Sequence, residues 1–454
     1  MRTTTLCAVL AALILSTTVH AQTDGNWPKF RGSDSLGILE STELPDTWSA
    51  TENVEWKTDL PGRAWSSPIV WDGVIYLTNA VTEVELEAAR KGLYADGQRG
   101  NINEPVVRMA LALDLETGEQ LWETVLHTAT PPFGIHLKNS YASATPITDG
   151  ERIYTYFNSL GLYCLDMEGT VIWERLLNPA KIRNDWGGGA SPVLGDDRIY
   201  IVNDNDEDSY MLALDKRTGK EAWRVEREEG SNWATPYIWK TKDRTEIVTP
   251  GTDKVRSYDL DGNLLWSLEG MSWITIANPY EYDGNLIVTS GYVMDQKWRP
   301  VYVIRPGAQG DISLEEGETS NDSIVWSNLL AAPYNPSTIV YGDTLYVLND
   351  IGSRGFAAFN AKTGEPVFEQ TPMGRRDWFT VSPWAYDGKI FCLNEDGKTY
   401  VMNAGDEYEV LHTNELAEDD MCMASPALVG DRMILRTSAR VYSIRKSSGA
   451  KSTD

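Results

Sequence analysis

Histidine and cysteine are scarce, four of each in 454 residues. Cys7, Cys164, Cys392 and Cys422 lie far apart and no two are adjacent, which excludes a disulfide framework and any Cys-x-x-Cys redox or zinc motif. His127, His136 and His412 have no partner at zinc-motif spacing, so no metal site is expected. A Gly-x-Ser-x-Gly nucleophile elbow and a phosphate-cradling glycine loop are also missing. Basic residues are outnumbered 40 to 66, for a formal net charge of −26. Such a surface repels phosphate backbones and anionic lipid, which excludes nucleic acid as a partner.

Long apolar runs are lacking as well. The run from Leu6 to Leu15 is too short to span a bilayer. With Arg2 before it and Val19-His20-Ala21 after it, residues 1–21 read as a cleaved secretory signal. The expectation is a periplasmic or secreted protein with no membrane span. Cys7 opens that run instead of following it, which disfavours lipid attachment. Loss of Arg2 takes the formal charge from −26 to −27. Cys164 and Cys392 fall inside apolar strand patterns, as buried thiols do.

What the chain has in abundance is repetition. Eight times a small polar residue and a proline introduce a strand-forming run: Ser67-Pro68, Thr145-Pro146, Ser191-Pro192, Thr235-Pro236, Asn278-Pro279, Asn335-Pro336, Ser382-Pro383 and Ser425-Pro426. The unit from Ala190 to Trp223 reads as four short strands separated by Gly/Asp/Asn turns. Its last turn and strand, Ala213-Leu214-Asp215…Thr218-Gly219…Trp223, recur as Ala112…Trp122 and, with substitutions, as Ala358…Phe368. Trp173, Trp266 and Trp326 take the same place in three further units. Four strands per unit and a 43–47-residue period between prolines in the compact units predict propeller blades. The indoles are expected to wedge between neighbouring sheets.

The last two units lack a fourth-strand tryptophan, while Val54-Glu55-Trp56-Lys57 precedes the first Ser-Pro pair without three strands before it. This strand is expected to complete the eighth sheet and remove the open edges. The fold class is therefore all-β: an eight-bladed propeller of four-stranded antiparallel blades over residues 53–445. A leader covers 22–52 and a tail 446–454. Stretched spacings place insertions near 81–108 and 307–323, with a short helix expected over Glu83–Arg90 and irregular loop after it. Insertions in repeat arrays usually lie on one face, often the binding face.

These residues resemble the pyrroloquinoline-quinone-like (PQQ-like) propeller repeat, through Ala-x-Asp-x-x-Thr-Gly-x-x-x-Trp at Ala112–Trp122 and Ala213–Trp223. Quinoprotein dehydrogenases and an outer-membrane assembly lipoprotein share it. Secreted bacterial members also share the leader Trp27-Pro28-x-Phe30-Arg31-Gly32 and a pattern like Ile390-Phe391-Cys392-Leu393-Asn394-Glu395-Asp396-Gly397. The resemblance implies fold. For activity it implies either a binding scaffold or a PQQ-dependent oxidoreductase with calcium. The adjacent cysteines of the dehydrogenases and the lipid-bearing cysteine of the assembly protein are both missing here. No calcium ligand or catalytic aspartate carries over, so catalytic residues stay unassigned.

First strands line a propeller's channel, so the residues before each proline converge at one mouth. Two places before it the residue is small in six units (Ser66, Ala144, Ala190, Ala234, Ala277, Ala424), as close approach to an axis requires. Farther upstream stand Trp65, Trp186, Trp233, Trp273 and Trp378, joined by Lys138, Asn139, Tyr141, Arg375 and Arg376. Aromatic faces with cations around a concave mouth suit a planar, anionic or sugar-like ligand; the competing reading is that the rings cap the core. Asp204-x-Asp206-x-Asp208 imitates a calcium loop, but Ser209 stands where glycine is required. A solvated acidic hairpin is expected there. The leading expectation is a non-catalytic binding or scaffold protein holding an unknown protein, small molecule or carbohydrate.

Overall fold

The computed structural model describes residues 25–84, 87–94, 103–158, 160–350, 355–374, 377–416 and 420–447. The segment 1–21, most of the tail, and Arg375 and Arg376 lie outside the described residues. Eight antiparallel blades follow one another in chain order. The first is Ile69–Trp71, Val74–Thr82, Val106–Asp114 and Gln120–Ala129. The eighth takes Ala427–Val429, Arg432–Arg436 and Arg440–Arg445 from the C-terminal end and Val54–Asp59 from the N-terminal end. Among the described residues the helical element is the 3₁₀ turn Arg183–Asp185, and no helix is long and apolar enough to cross a membrane.

Five of the fourth-strand indoles bridge to the next blade. The Nε1 of Trp122, Trp173, Trp223 and Trp326 donates to a carbonyl in the neighbouring turn, at Met167, Lys216, Leu260 and Ala361, over 2.9–3.2 Å. The glycine of that turn has positive φ, and a Cβ on it would meet the ring at 2.6 Å for both Gly169 and Gly219. Conformation and close approach therefore both demand glycine. Trp56 does the same across the ring closure, bonding the Leu115 carbonyl at 3.1 Å. In blade seven the position paired across the sheet from Val401 is His412, whose Nε2 bonds the leader carbonyl of Asp46 at 2.7 Å.

A second girdle lies at the axis. The residue before each proline sends its backbone N–H to the side chain of its counterpart in the next blade. Seven such bonds of 2.9–3.1 Å are seen: Ser67 to Thr145, Thr145 to Ser191, Ser191 to Thr235, Thr235 to Asn278, Asn278 to Ser337, Ser337 to Ser382, and Ser425 to Ser67. A residue before proline is held extended, which aims its amide sideways. In blade six the girdle uses Ser337, with Thr338 in the proline's place, and the strand Ile339–Tyr341 follows. Asn335-Pro336 thus stands two residues upstream of the position assigned to it from the sequence. The six small side chains behind the girdle are buried.

The leader is a plug. Trp27 pairs with Val70 of blade one, the Pro28 carbonyl accepts from Thr148 of blade two, Arg31 donates to Thr338 of blade six, and Ile38 bridges Ala385 of blade seven. It crosses the channel on the side beyond the prolines and turns Phe30 toward the axis. The second insertion does not reach the mouth. Gly310–Asp311 pairs in parallel with Leu264–Glu269 and makes blade four five-stranded, so the blades are not uniformly four-stranded. The usual Thr-Gly turn is missing from blade five, and the Trp266 indole bonds the buried Glu246 carboxylate instead. The helix expected over Glu83–Arg90 is not formed at its described positions.

Substituting Gly219→Ala should destabilise the fold by about 2–4 kcal/mol, combining left-handed strain with a collision against Trp173, read by denaturant unfolding. Glu55 closes the ring through Arg432 and Arg445. Burial raises its carboxyl pKa, but Arg432 and Arg445 override burial and hold it below the usual value. That stabilisation is present above the unfolded-state pKa and is lost as pH falls through the depressed one. Glu55→Gln should therefore lower the melting temperature at neutral pH, and the gap to the wild type should close toward acid.

Candidate functional site

The girdle, the plug and the blade-one insertion enclose a cavity of about 290 Å³ on the mouth side. The girdle forms its waist and Phe30 its floor. Trp65, Trp186 and Trp233 form its wall, with the Trp186 and Trp233 rings 6.0 Å apart and tilted by 41°. Leu93 and Tyr94 form its roof. The indoles are set by the backbone: Trp65 Nε1 donates to the Lys138 carbonyl at 2.8 Å and Trp233 Nε1 to the Gly187 carbonyl at 2.6 Å.

One charged pair clasps the roof to the walls. Lys138, in the loop entering blade two, forms an ion pair with Glu395 in the second-to-third-strand turn of blade seven. Gly92 of the insertion sits between them, its carbonyl 3.0 Å from Lys138 Nζ and its amide 2.8 Å from Glu395 Oε2. Thr380 donates to the same carboxylate at 2.6 Å. Gly92 also abuts Trp378, leaving no room for a side chain. His136 extends the roof, its ring 4.8 Å from Tyr94 and 6.1 Å from Trp186.

Of the residues singled out from the sequence, Trp65, Lys138, Asn139, Trp186 and Trp233 line this cavity. The Asn139 amide is committed to the protein: Nδ2 donates to the Trp186 and Gly188 carbonyls, and Oδ1 accepts from Ser140 and Ser143. It shapes the wall and is not free to grip a ligand. Trp378 supports the roof from behind. Tyr141 lies outside the cavity, beneath the Arg108 guanidinium. Trp273 stands on the outer rim, 56% exposed. Among the described residues, the lysine that reaches the mouth, Lys138, is paired with Glu395; Arg375 and Arg376 lie outside the described residues.

The acidic hairpin needs correcting. Asp206, Glu207 and Asp208 are exposed, but Asp204 is buried. It receives the Arg227 guanidinium at 2.8 and 3.0 Å and the Asn232 amide. Asp350 is equivalent in blade six, accepting the Tyr334 and Asn335 amides at 2.8 and 3.1 Å. Burial pushes its carboxyl up to about 6 against those bonds. Asp204, Asp350 and Glu395 each follow an asparagine that ends or abuts a second strand. That recurrence, Asn203-Asp204, Asn349-Asp350 and Asn394-Glu395, was visible in the sequence. It is the signal that would have found three anchors of the mouth loops.

Calcium with a quinone cofactor does not fit this donor set. Among the described residues no three His, Cys, Asp or Glu side chains are grouped to hold a metal ion. The Glu395 carboxylate at the roof is tied to Lys138, Gly92 and Thr380, and Asp396 beside it is paired with Lys91. Cys164, Cys392 and Cys422 are buried free thiols, and burial raises the pKa of each.

The family model described as outer membrane protein assembly factor BamB matches residues 46–177, 107–294 and 308–453. The curated BamB of Burkholderia pseudomallei (strain K96243) is 24% identical over 205 residues, which are 40% of this chain and 50% of that protein. The chain thus spans about half the length of the curated relative it matches. The crystal structure of BamB from Moraxella catarrhalis superposes with a TM-score of 0.51 at 14% identity, over 82% of this chain and 99% of that one. Quinohemoprotein alcohol dehydrogenase from Comamonas testosteroni gives 0.58 at 10% identity, over 96% and 82%. At such identities these likenesses speak for the fold alone.

Removing Lys138 alone strands a buried carboxylate. Lys138→Met should cost about 3–5 kcal/mol and raise amide exchange at Gly92. The double variant Lys138→Met/Glu395→Gln should recover most of that stability.

Proposed function

The chain belongs to the propeller family described as outer membrane protein assembly factor BamB, and from that premise we propose that it is a non-catalytic binding protein. It acts through the mouth cavity and the blade-one insertion that roofs it, in the periplasm or outside the cell. The observation that carries this reading is the state of the polar groups at the mouth. Lys138 and Glu395 are spent on each other and on Gly92, and Asn139 on its own loop and the Trp186 and Gly188 carbonyls, where an acid–base catalyst needs a group free to reach substrate. The leader adds to it, since a channel plugged at Phe30 is a receptacle with one side open to ligand.

A second reading is a PQQ-dependent oxidoreductase with calcium. The aromatic wall supports it and the donor set opposes it. The deciding experiment titrates purified residues 22–454 with PQQ and calcium by calorimetry, beside a dye-reduction assay with mixed alcohols and sugars. A flat trace without turnover is expected. Saturable binding with dye reduction would overturn the binding-protein reading.

A further inference from the structure

The girdle has a chemical polarity that its structural role leaves unused. A hydroxyl offers one donor and two acceptor sites. Six hydroxyls, those of Thr145, Ser191, Thr235, Ser337, Ser382 and Ser67, each accept a neighbouring backbone N–H. None of them donates its own proton to an acceptor among the described residues. Ser425 keeps its hydroxyl free altogether, since its contribution to the girdle is a backbone amide. All seven side chains are at least nine-tenths buried, and all line the cavity. The waist therefore carries seven hydroxyls, interrupted at blade five by Asn278, with an aromatic ring below it and indoles above.

A ligand seated there must bring oxygen atoms around its edge and apolar surface on its faces. Its charge is limited as well, because Lys138 is already neutralised by Glu395 and no other lysine or arginine lines the cavity among the described residues. A carboxylate would enter a low-dielectric site without a counter-charge. Deepening the binding role assigned above, and resting on it, we propose that the cavity is a seat for an uncharged pyranose or cyclic polyol. The ring's C–H face lies on Phe30 or the Trp233 indole, and its hydroxyl oxygens accept from the girdle. The volume of about 290 Å³ is at the small end of ligand pockets, which suits one such ring or a pair rather than a long chain.

The test uses purified residues 22–454, with calorimetry and intrinsic tryptophan fluorescence against D-glucose, N-acetylglucosamine and myo-inositol, with glucuronate as the charged counterpart. At least one neutral ring should saturate and quench, and glucuronate should bind at least tenfold more weakly than glucose. Ser425→Ala is the informative variant. It removes one inward hydroxyl while leaving every girdle bond in place, so affinity should fall about fivefold with an unchanged melting temperature. Trp233→Leu should weaken binding further and reduce the quench. Glucuronate binding as tightly as glucose, or neutral binding untouched by both substitutions, would sink the proposal. So would the failure of every neutral ring to bind. That failure without dye reduction defeats the sugar seat alone and leaves the binding role standing. PQQ-dependent dye reduction defeats the binding role itself.

Discussion

The ring depends first on the contact between a fourth-strand indole and the glycine turn of the next blade, made at five of its eight junctions. Strand pairing alone makes eight separate sheets, each with two edges and no instruction about its neighbour. The indole supplies that instruction twice, by stacking on a surface that tolerates no Cβ and by donating to a fixed carbonyl. At the junctions of Trp56, Trp122, Trp173, Trp223 and Trp326 it sets the angle between blades. That angle in turn brings the first strands close enough for the axial girdle to form.

The two girdles divide the work. The outer one is apolar and held by packing; the inner one is polar and held by amide-to-hydroxyl bonds in a space too narrow for large side chains. The inner girdle satisfies backbone donors that burial would otherwise leave unpaired at real cost. It also leaves hydroxyls along the waist of the cavity, so a structural necessity produces a recognition surface. Closing the channel with the leader and roofing it with the Gly92 clasp convert a solvent passage into a chamber.

Much of this was legible in the residues. The Ser-Pro pairs, the Thr-Gly-x-x-x-Trp turns and the orphan strand at Trp56 were enough for eight blades and for ring closure by the N-terminal strand, because each is a local pattern with one structural consequence. Blade six shows where local pattern misleads. Asn335-Pro336 has the right letters, yet the girdle uses Ser337, and position along the axis is set by the strand that follows. The mouth was legible in part. Trp65, Trp186 and Trp233 met at the cavity because their spacing to the first strand places them there, whereas Trp273 at similar spacing turned out to the rim and Tyr141 beneath Arg108.

What the sequence determined by itself is the repeat: periodic hydrophobicity and obligatory glycines act over a few residues and need no distant partner. What only the tertiary structure decided is how groups far apart in the chain neutralise one another. Lys138 and Glu395 are 257 residues apart, and neither spacing nor composition announces that they meet. Asp204 looks like one of three solvated acids until Arg227 and Asn232 close over it. Phe30 is a leader residue until the ring forms around the leader. Charge pairing and channel plugging are decided by through-space distance, and that distance exists only once eight blades have closed.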